Sequence, residues 1–212
     1  MKLNIGPGAS ATYFHKNPEW ELMDVEKNRA SKGLQIDFNV FEKIDRPSDY
    51  YTRVYASHVL EHVHPAHTIK FLKEINRTMK TGGIFRIIIP DARKSIEKYL
   101  NGEKFSLFER RKKIHGKNLN PPMSEFEAMK MCFISPTKQT SLISGKNYIP
   151  FAHQNAWDFE SIKNDLIRSG FNKDNIFRTQ YGESKTSDFN FETKLDTEAR
   201  QFDRSMYLEV VK

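Results

Sequence analysis

The sequence predicts an α/β fold built on a doubly wound sheet, and three observations carry that expectation. Strand-like and helix-like segments alternate along the chain. The β-branched run Ile84-Phe85-Arg86-Ile87-Ile88-Ile89 is nearly continuous in apolar residues, as a strand covered on both faces requires. The first apolar segment closes at once on Gly6-Pro7-Gly8, a glycine turn at a strand end. With 212 residues, 38% of them apolar and 12% aromatic, the chain can fill the interior of one domain with an elaboration; a disordered protein is excluded.

Leu3–Ile5 is the first expected strand, and Trp20–Val25 the second, reaching its tip near Asp24. A third runs over Leu34–Phe38 and through Asp37. The fourth, Tyr51–Ala56, exits into Ser57-His58. Ile69, Leu72, Ile75 and Met79 recur at helical spacing between Pro65 and Lys80, with Pro65 suited to the first turn and Gly82-Gly83 to the stop. The fifth strand, Ile84–Ile89, ends in Pro90-Asp91. Residues 92–150 interrupt the alternation with helical and irregular sequence punctuated by prolines. Asp158 then caps a helix carrying Phe159, Ile162 and Leu166 and ended by Gly170, and Asn175–Thr179 and Met206–Val211 close the sheet. Because the 92–150 insertion leaves the carboxyl end of a sheet strand, where such folds place their ligand crevice, it is expected to form a lid or substrate wall.

The net charge of +7 is concentrated: between Ala92 and Asn118 nine bases face three acids. A solvated helix face explains such a run, and the near-neutral remainder argues against a general nucleic-acid binder. No window is long and apolar enough for a spanning helix. A single cysteine, Cys132, and the lack of an apolar leader point to a cytoplasmic setting.

Glycines let backbone approach a ligand closely, and Asp24 at the neighbouring strand tip can accept both hydroxyls of a ribose, so a nucleoside-containing cofactor follows. Gly6-Pro7-Gly8-Ala9-Ser10-Ala11 satisfies the GxGxxA dinucleotide pattern. Yet the segment up to Pro18 lacks the periodicity of the helix that a pyrophosphate wants. S-adenosyl-L-methionine, with no phosphate, ranks ahead of a nicotinamide dinucleotide.

His58-Val59-Leu60-Glu61-His62 matches the HxxEH signature of inverted zinc peptidases, thickened by His64 and His67. The motif starts at a strand exit, Pro65 breaks any helix soon after, and the third ligand would have to come from an acid as distant as Glu125 or Glu127. No metal is assigned.

Leu3-Asn4-Ile5-Gly6-Pro7-Gly8 resembles the glycine motif of class I S-adenosylmethionine-dependent methyltransferases. Tyr55-Ala56-Ser57-His58-Val59-Leu60-Glu61-His62 looks like the strand-exit motif of their small-molecule and surface-glycan branch. Leu72 to Gly83 with Ile84 to Asp91 is similar to that branch's helix, turn and fifth strand. His153 with Trp157, Ser169-Gly170-Phe171, Gly182-Glu183-Ser184 and Ser205 to Lys212 fit as well. The resemblance covers most of the chain outside roughly 92–150. It implies one Rossmann-like domain over 1–212, with seven strands, mostly parallel, the last antiparallel.

The resemblance further implies that Gly6, Pro7 and Gly8 line the methionine part of S-adenosyl-L-methionine, although Pro7 removes one N–H donor. Asp24, with Val25 beside it, would hold the ribose, Asp37 and Phe38 would meet the adenine, and Ser57 and His58 would close over the sulfonium. The usual Leu-Pro-Phe run after Asp37 is missing. Methyl transfer is an in-line displacement that needs positioning above all, and a base only for a protonated acceptor. His58, His153 and Asp91 are the candidates for it. The expected acceptor is a small molecule, anionic or sugar-like if the basic stretch faces the crevice. The alternatives are an NAD(P)-dependent oxidoreductase and a non-catalytic adapter on the same fold.

Overall fold

The computed structural model describes the chain apart from residue 39 and residues 116–118, 135–151 and 196–197. Strands β1 (Lys2–Ile5), β2 (Trp20–Met23), β3 (Tyr51–Ser57), β4 (Met79–Pro90), β5 (Ile176–Thr179) and β6 (Ser205–Val211) form one sheet in the order β2-β1-β3-β4-β6-β5. β6 runs antiparallel to both neighbours, and the other pairings are parallel. The antiparallel last strand agrees with the expectation; the strand number does not. Among the described residues six strands are present rather than seven, because Leu34–Phe38 contributes only the bridge Gln35↔Asp24. Ile36 N–H donates to Asp24 O at 3.1 Å, but the Asp37–Val40 turn then bends the chain away, and Leu34 and Phe38 go into the core instead.

Alternation along the strands divides the interior in two. On one face, Phe71, Leu72 and Ile75 of α2 (Pro65–Thr78) and Ile162 and Leu166 of α6 (Phe159–Arg168) pack on Val54, Ala56, Phe85, Ile87 and Ile89. The other face has no long helix among the described residues. Phe14 of the one-turn α1 (Ala11–Phe14), Trp20, Tyr55, Phe189 and Phe191 close it, with Phe14–Phe191 and Tyr55–Phe191 rings edge to face at 4.8 Å. Arg86 points to that side, fully buried, and Glu192 grips it through two oxygens at 2.9 and 3.0 Å.

Helix α2 ends at Thr78, earlier than the glycine pair suggested. The Thr78 hydroxyl donates to the Glu74 and Ile75 carbonyls at 2.9 and 3.1 Å, and the chain passes directly into β4. Gly82 and Gly83 form a bulge there: the pairing moves from Tyr51↔Met79 to Arg53↔Ile84, and a Cβ on Gly83 would stand 2.7 Å from Lys80 O.

Beyond β4, α3 (Ala92–Leu100), α4 (Ser106–His115) and α5 (Glu125–Lys130) enclose a separate small core of Phe105, Leu107, Phe108, Met123, Met129 and Cys132. This is the described part of the expected insertion; residues 116–118 and 135–150 of it lie outside the described residues. Among the described residues no helix is long and apolar enough to cross a membrane.

Candidate active site

The site is built where β1, β2 and β3 end side by side. Gly6 and Gly8 take φ of 62° and 53°, left-handed values that side-chain-bearing residues rarely adopt. Gly6 N–H donates to Met23 O at 2.7 Å, lashing the turn to the tip of β2. A Cβ on Gly6 would fall 2.4 Å from Val59 Cγ2, so backbone and the β3 exit touch there; at Gly8 nothing lies within 4 Å of a Cβ. Gly8–Ser10 then make a single 3-10 turn into α1. The shortness of that helix is what the sequence implied against a pyrophosphate site.

Asp24 follows β2, buried, with its Oδ1 accepting from Glu26 N–H at 2.9 Å. Burial raises its carboxyl above the ordinary value, against the pull of the Glu26 and Gly8 N–H groups and the Arg29 charge. Ser57 closes β3 with its hydroxyl oxygen buried and without a hydrogen bond. His58 comes next with φ of 53°, a conformation uncommon outside glycine, kept by His58 N–H to Ile88 O at 2.8 Å and by Nε2 3.0 Å from Ser205 Oγ. Its Nδ1 lies 3.2 Å from Glu61 Oε1, outside hydrogen-bond geometry.

These elements surround a cavity of about 350 Å³. Gly6, Pro7, Gly8, Asp24, Val25, Phe38, Ser57 and His58 all line it, so the structure gathers every expected cofactor residue except Asp37. Asp37 is exposed, one residue before Phe38, and is not in the wall. A bare glycine turn, a buried carboxylate at a strand tip and an orphaned hydroxyl suit a ribose and an amino-acid end, so the wall fits an adenosyl sulfonium donor. Arg29, His62, Leu195 and Glu198 also line the cavity, without having been expected. Leu195 and Glu198 arrive from an irregular segment far along the chain, where no local pattern marks them.

The other candidates for a base sit differently. Asp91 caps α3 by accepting from Lys94 N–H, pairs with Arg178 at 3.2 Å, and is not in the cavity wall. His153 also lies outside the wall. Its Nδ1 stands 2.8 Å from Cys132 O and its ring packs edge to face on His62 at 5.0 Å; burial drives it down to about 4, so the imidazole is neutral. Glu61, His62 and His153 converge, with ligand-capable atoms all within 4.8 Å of one another. Burial would raise the Glu61 carboxyl, but the surrounding histidines, His58 first, bring it down to about 2.

The chain matches the family described as Methyltransferase domain over residues 6–174, from the glycine turn to the approach to β5. No curated protein matches it in sequence. Among solved structures it is similar to an S-adenosylmethionine dependent methyltransferase from Mesorhizobium loti, at 13% identity and a TM-score of 0.51, covering 100% of this chain and 90% of that one. It is also similar to the YcgJ protein from Bacillus subtilis, at 13% identity and a TM-score of 0.50, covering 100% and 91%. The family match runs through more than half of the chain, and the chain belongs to the methyltransferase-domain family, whose expected cofactor is S-adenosyl-L-methionine.

Proposed function

We propose that this protein transfers a methyl group from S-adenosyl-L-methionine to a small anionic acceptor by in-line displacement. The observation that carries the reading is the cavity that joins the left-handed glycines, buried Asp24 and the unbonded Ser57 hydroxyl. When bound, the donor supplies a methyl carbon already activated by its sulfonium leaving group. Gly6 and Gly8 offer backbone to the methionine end, Asp24 accepts the ribose hydroxyls, and Phe38 packs on the base. The rate comes from holding the partners collinear in a space without water.

For an acceptor that carries a proton, His58 is our choice of base over His153 and Asp91. It lines the cavity, Glu61 faces its Nδ1, and Ser205 holds its Nε2 side. The anionic character of the acceptor is supported by Arg111 and Arg204. Each has an Nε that is buried and without a hydrogen bond, and burial lowers the Arg111 guanidinium beside Cys132 and Arg204. Of its neighbours on α4, Lys112 is engaged with Glu109 and Glu125, and Arg110 and Lys113 are exposed, while Arg111 is partly buried. On this reading the described helices of the insertion, α3 to α5, contribute to the acceptor site.

Calorimetry with S-adenosylhomocysteine tests the reading: the protein binds it and Asp24→Ala binds at least about tenfold more weakly, a loss of 1.4 kcal/mol. Binding of a nicotinamide dinucleotide instead would restore the oxidoreductase, and binding of neither would leave the adapter.

A further inference from the structure

We propose that Glu61, His62 and His153 form a binding site for one divalent transition-metal ion, set against the wall of the donor cavity. The residue types are right: imidazole nitrogens with a carboxylate make a borderline-soft N2O set that suits zinc and its neighbours and leaves coordination positions open. Their ligand-capable atoms lie within 4.8 Å of one another. Metal–ligand bonds of about 2.1 Å put tetrahedral ligand atoms about 3.4 Å apart, a difference that ordinary side-chain rotation closes.

The surroundings are those of a ligand set. His62 Nδ1 is 3.1 Å from Ala152 O, and His153 Nδ1 is 2.8 Å from Cys132 O. A carbonyl can only accept, so both imidazoles carry their proton on Nδ1 and their lone pair on Nε2. A backbone carbonyl on the remote nitrogen is how metal-binding histidines are commonly oriented. Both oxygens of Glu61 are buried and make no hydrogen bond within geometric limits, with His58 Nδ1 3.2 Å from Oε1, an arrangement that a cation would complete. The two chain segments are fastened before any ion arrives: Gln154 and Asn155 N–H donate to Glu61 O at 2.7 and 3.1 Å, and Gln154 Nε2 donates to His62 O at 3.0 Å. His62 lines the donor cavity, so an ion here would present its open positions to that space. On the methyl-transfer reading, on which this clause alone rests, those positions take an oxygen of the acceptor and orient it toward the methyl carbon.

The test is cobalt(II) titration of the intact chain, followed by its visible d–d absorption, with zinc-dependent thermal shift as a second readout. One equivalent of cobalt is expected to give a saturable spectrum, and zinc to raise the melting temperature. Glu61→Gln and His153→Ala should each lose more than the about 10–100-fold in affinity that removal of an outer partner costs. A His64→Ala/His67→Ala variant should bind as the parent does, since those rings form the neighbouring surface pair at 5.9 Å. Absence of a spectrum, or a spectrum that survives Glu61→Gln and is lost with His64 and His67, overturns the site. S-adenosylhomocysteine calorimetry on the same samples separates the two ideas: donor binding without cobalt binding sinks the metal site alone, and the reverse sinks the methyl-transfer reading alone. If His153→Ala does not fold, Glu61→Gln, which keeps the side-chain shape, decides.

Discussion

Two buried acids, Glu192 and Glu61, show how differently this sheet treats charge on its aromatic side and at its strand tips. Glu192 is held by Arg86 through both oxygens, and Arg86 is further satisfied by Thr179 Oγ1 at 2.5 Å and Gln180 O at 2.9 Å, with Glu209 at 3.9 Å. Glu61 is equally buried but has only imidazoles around it and no hydrogen bond. The Arg86–Glu192 pair is hydrogen-bonded through both carboxylate oxygens and joins β4 to the segments that follow β5, although Glu209 Oε1 beside it makes no hydrogen bond. The second is incomplete, as is the Ser57 hydroxyl nearby. Polar groups left unsatisfied inside a protein cost stability unless something binds them, so the incomplete region is where ligands belong.

The largest effect that would sharpen this contrast comes from Arg86→Met. It strands Glu192 and Glu209 without a cation and should cost about 3–5 kcal/mol in denaturant unfolding. A cost under about 1 kcal/mol would break the comparison. Gly6→Ala comes next: a side chain at φ of 62° costs about 1–2 kcal/mol before its Cβ meets Val59 Cγ2 at 2.4 Å. The variant should melt lower and lose donor binding, whereas Gly8→Ala, with open space around the Cβ, carries the backbone penalty alone. Glu61→Gln is smaller still. It loses a single oblique contact with His58, and its stability should stay within about 1 kcal/mol of the parent. A drop like that of Arg86→Met would make Glu61 a structural anchor.

The smallest effect is a dependence on pH. Burial raises the folded Asp24 carboxyl above 3.8, so without donor the folded state binds this proton more tightly than the unfolded chain. The ionised group therefore detracts from stability above its raised value, and that deficit shrinks as pH falls through it toward 3.8. On the proposed reading Asp24 accepts the ribose hydroxyls in its ionised form, so donor affinity should fall over the same window. Calorimetry at stepped pH should show the fall in the parent and a flat, weaker line in Asp24→Asn.

Much of the donor corner was legible because it is local. Gly6 and Gly8, the strand-tip Asp24 and the Ser57-His58 exit each follow an apolar run that fixes where a strand must end, and parallel pairing then brings the ends together. The missing seventh strand was not legible, since the apolar spacing of Leu34–Phe38 is the same for a strand and for a loop that drops two side chains into the core. The histidine motif was visible too, but it starts at a strand exit rather than on a shared helix, and by itself it assigns no metal. The 3-10 turn Leu60–His62 instead turns Glu61 and His62 toward His153.

By itself, then, the sequence determined the α/β class, the glycine turn and the carboxylate that faces it, because hydrophobic period and turn chemistry act over a few residues; the direction of the last strand came only through the family resemblance. Only the tertiary structure decided that Arg111 turns inward while its basic neighbours do not, that Asp91 caps a helix outside the cavity wall, and that residues 61, 62 and 153 meet. Those outcomes depend on contacts between segments about ninety positions apart, and no local spacing encodes where such segments will touch.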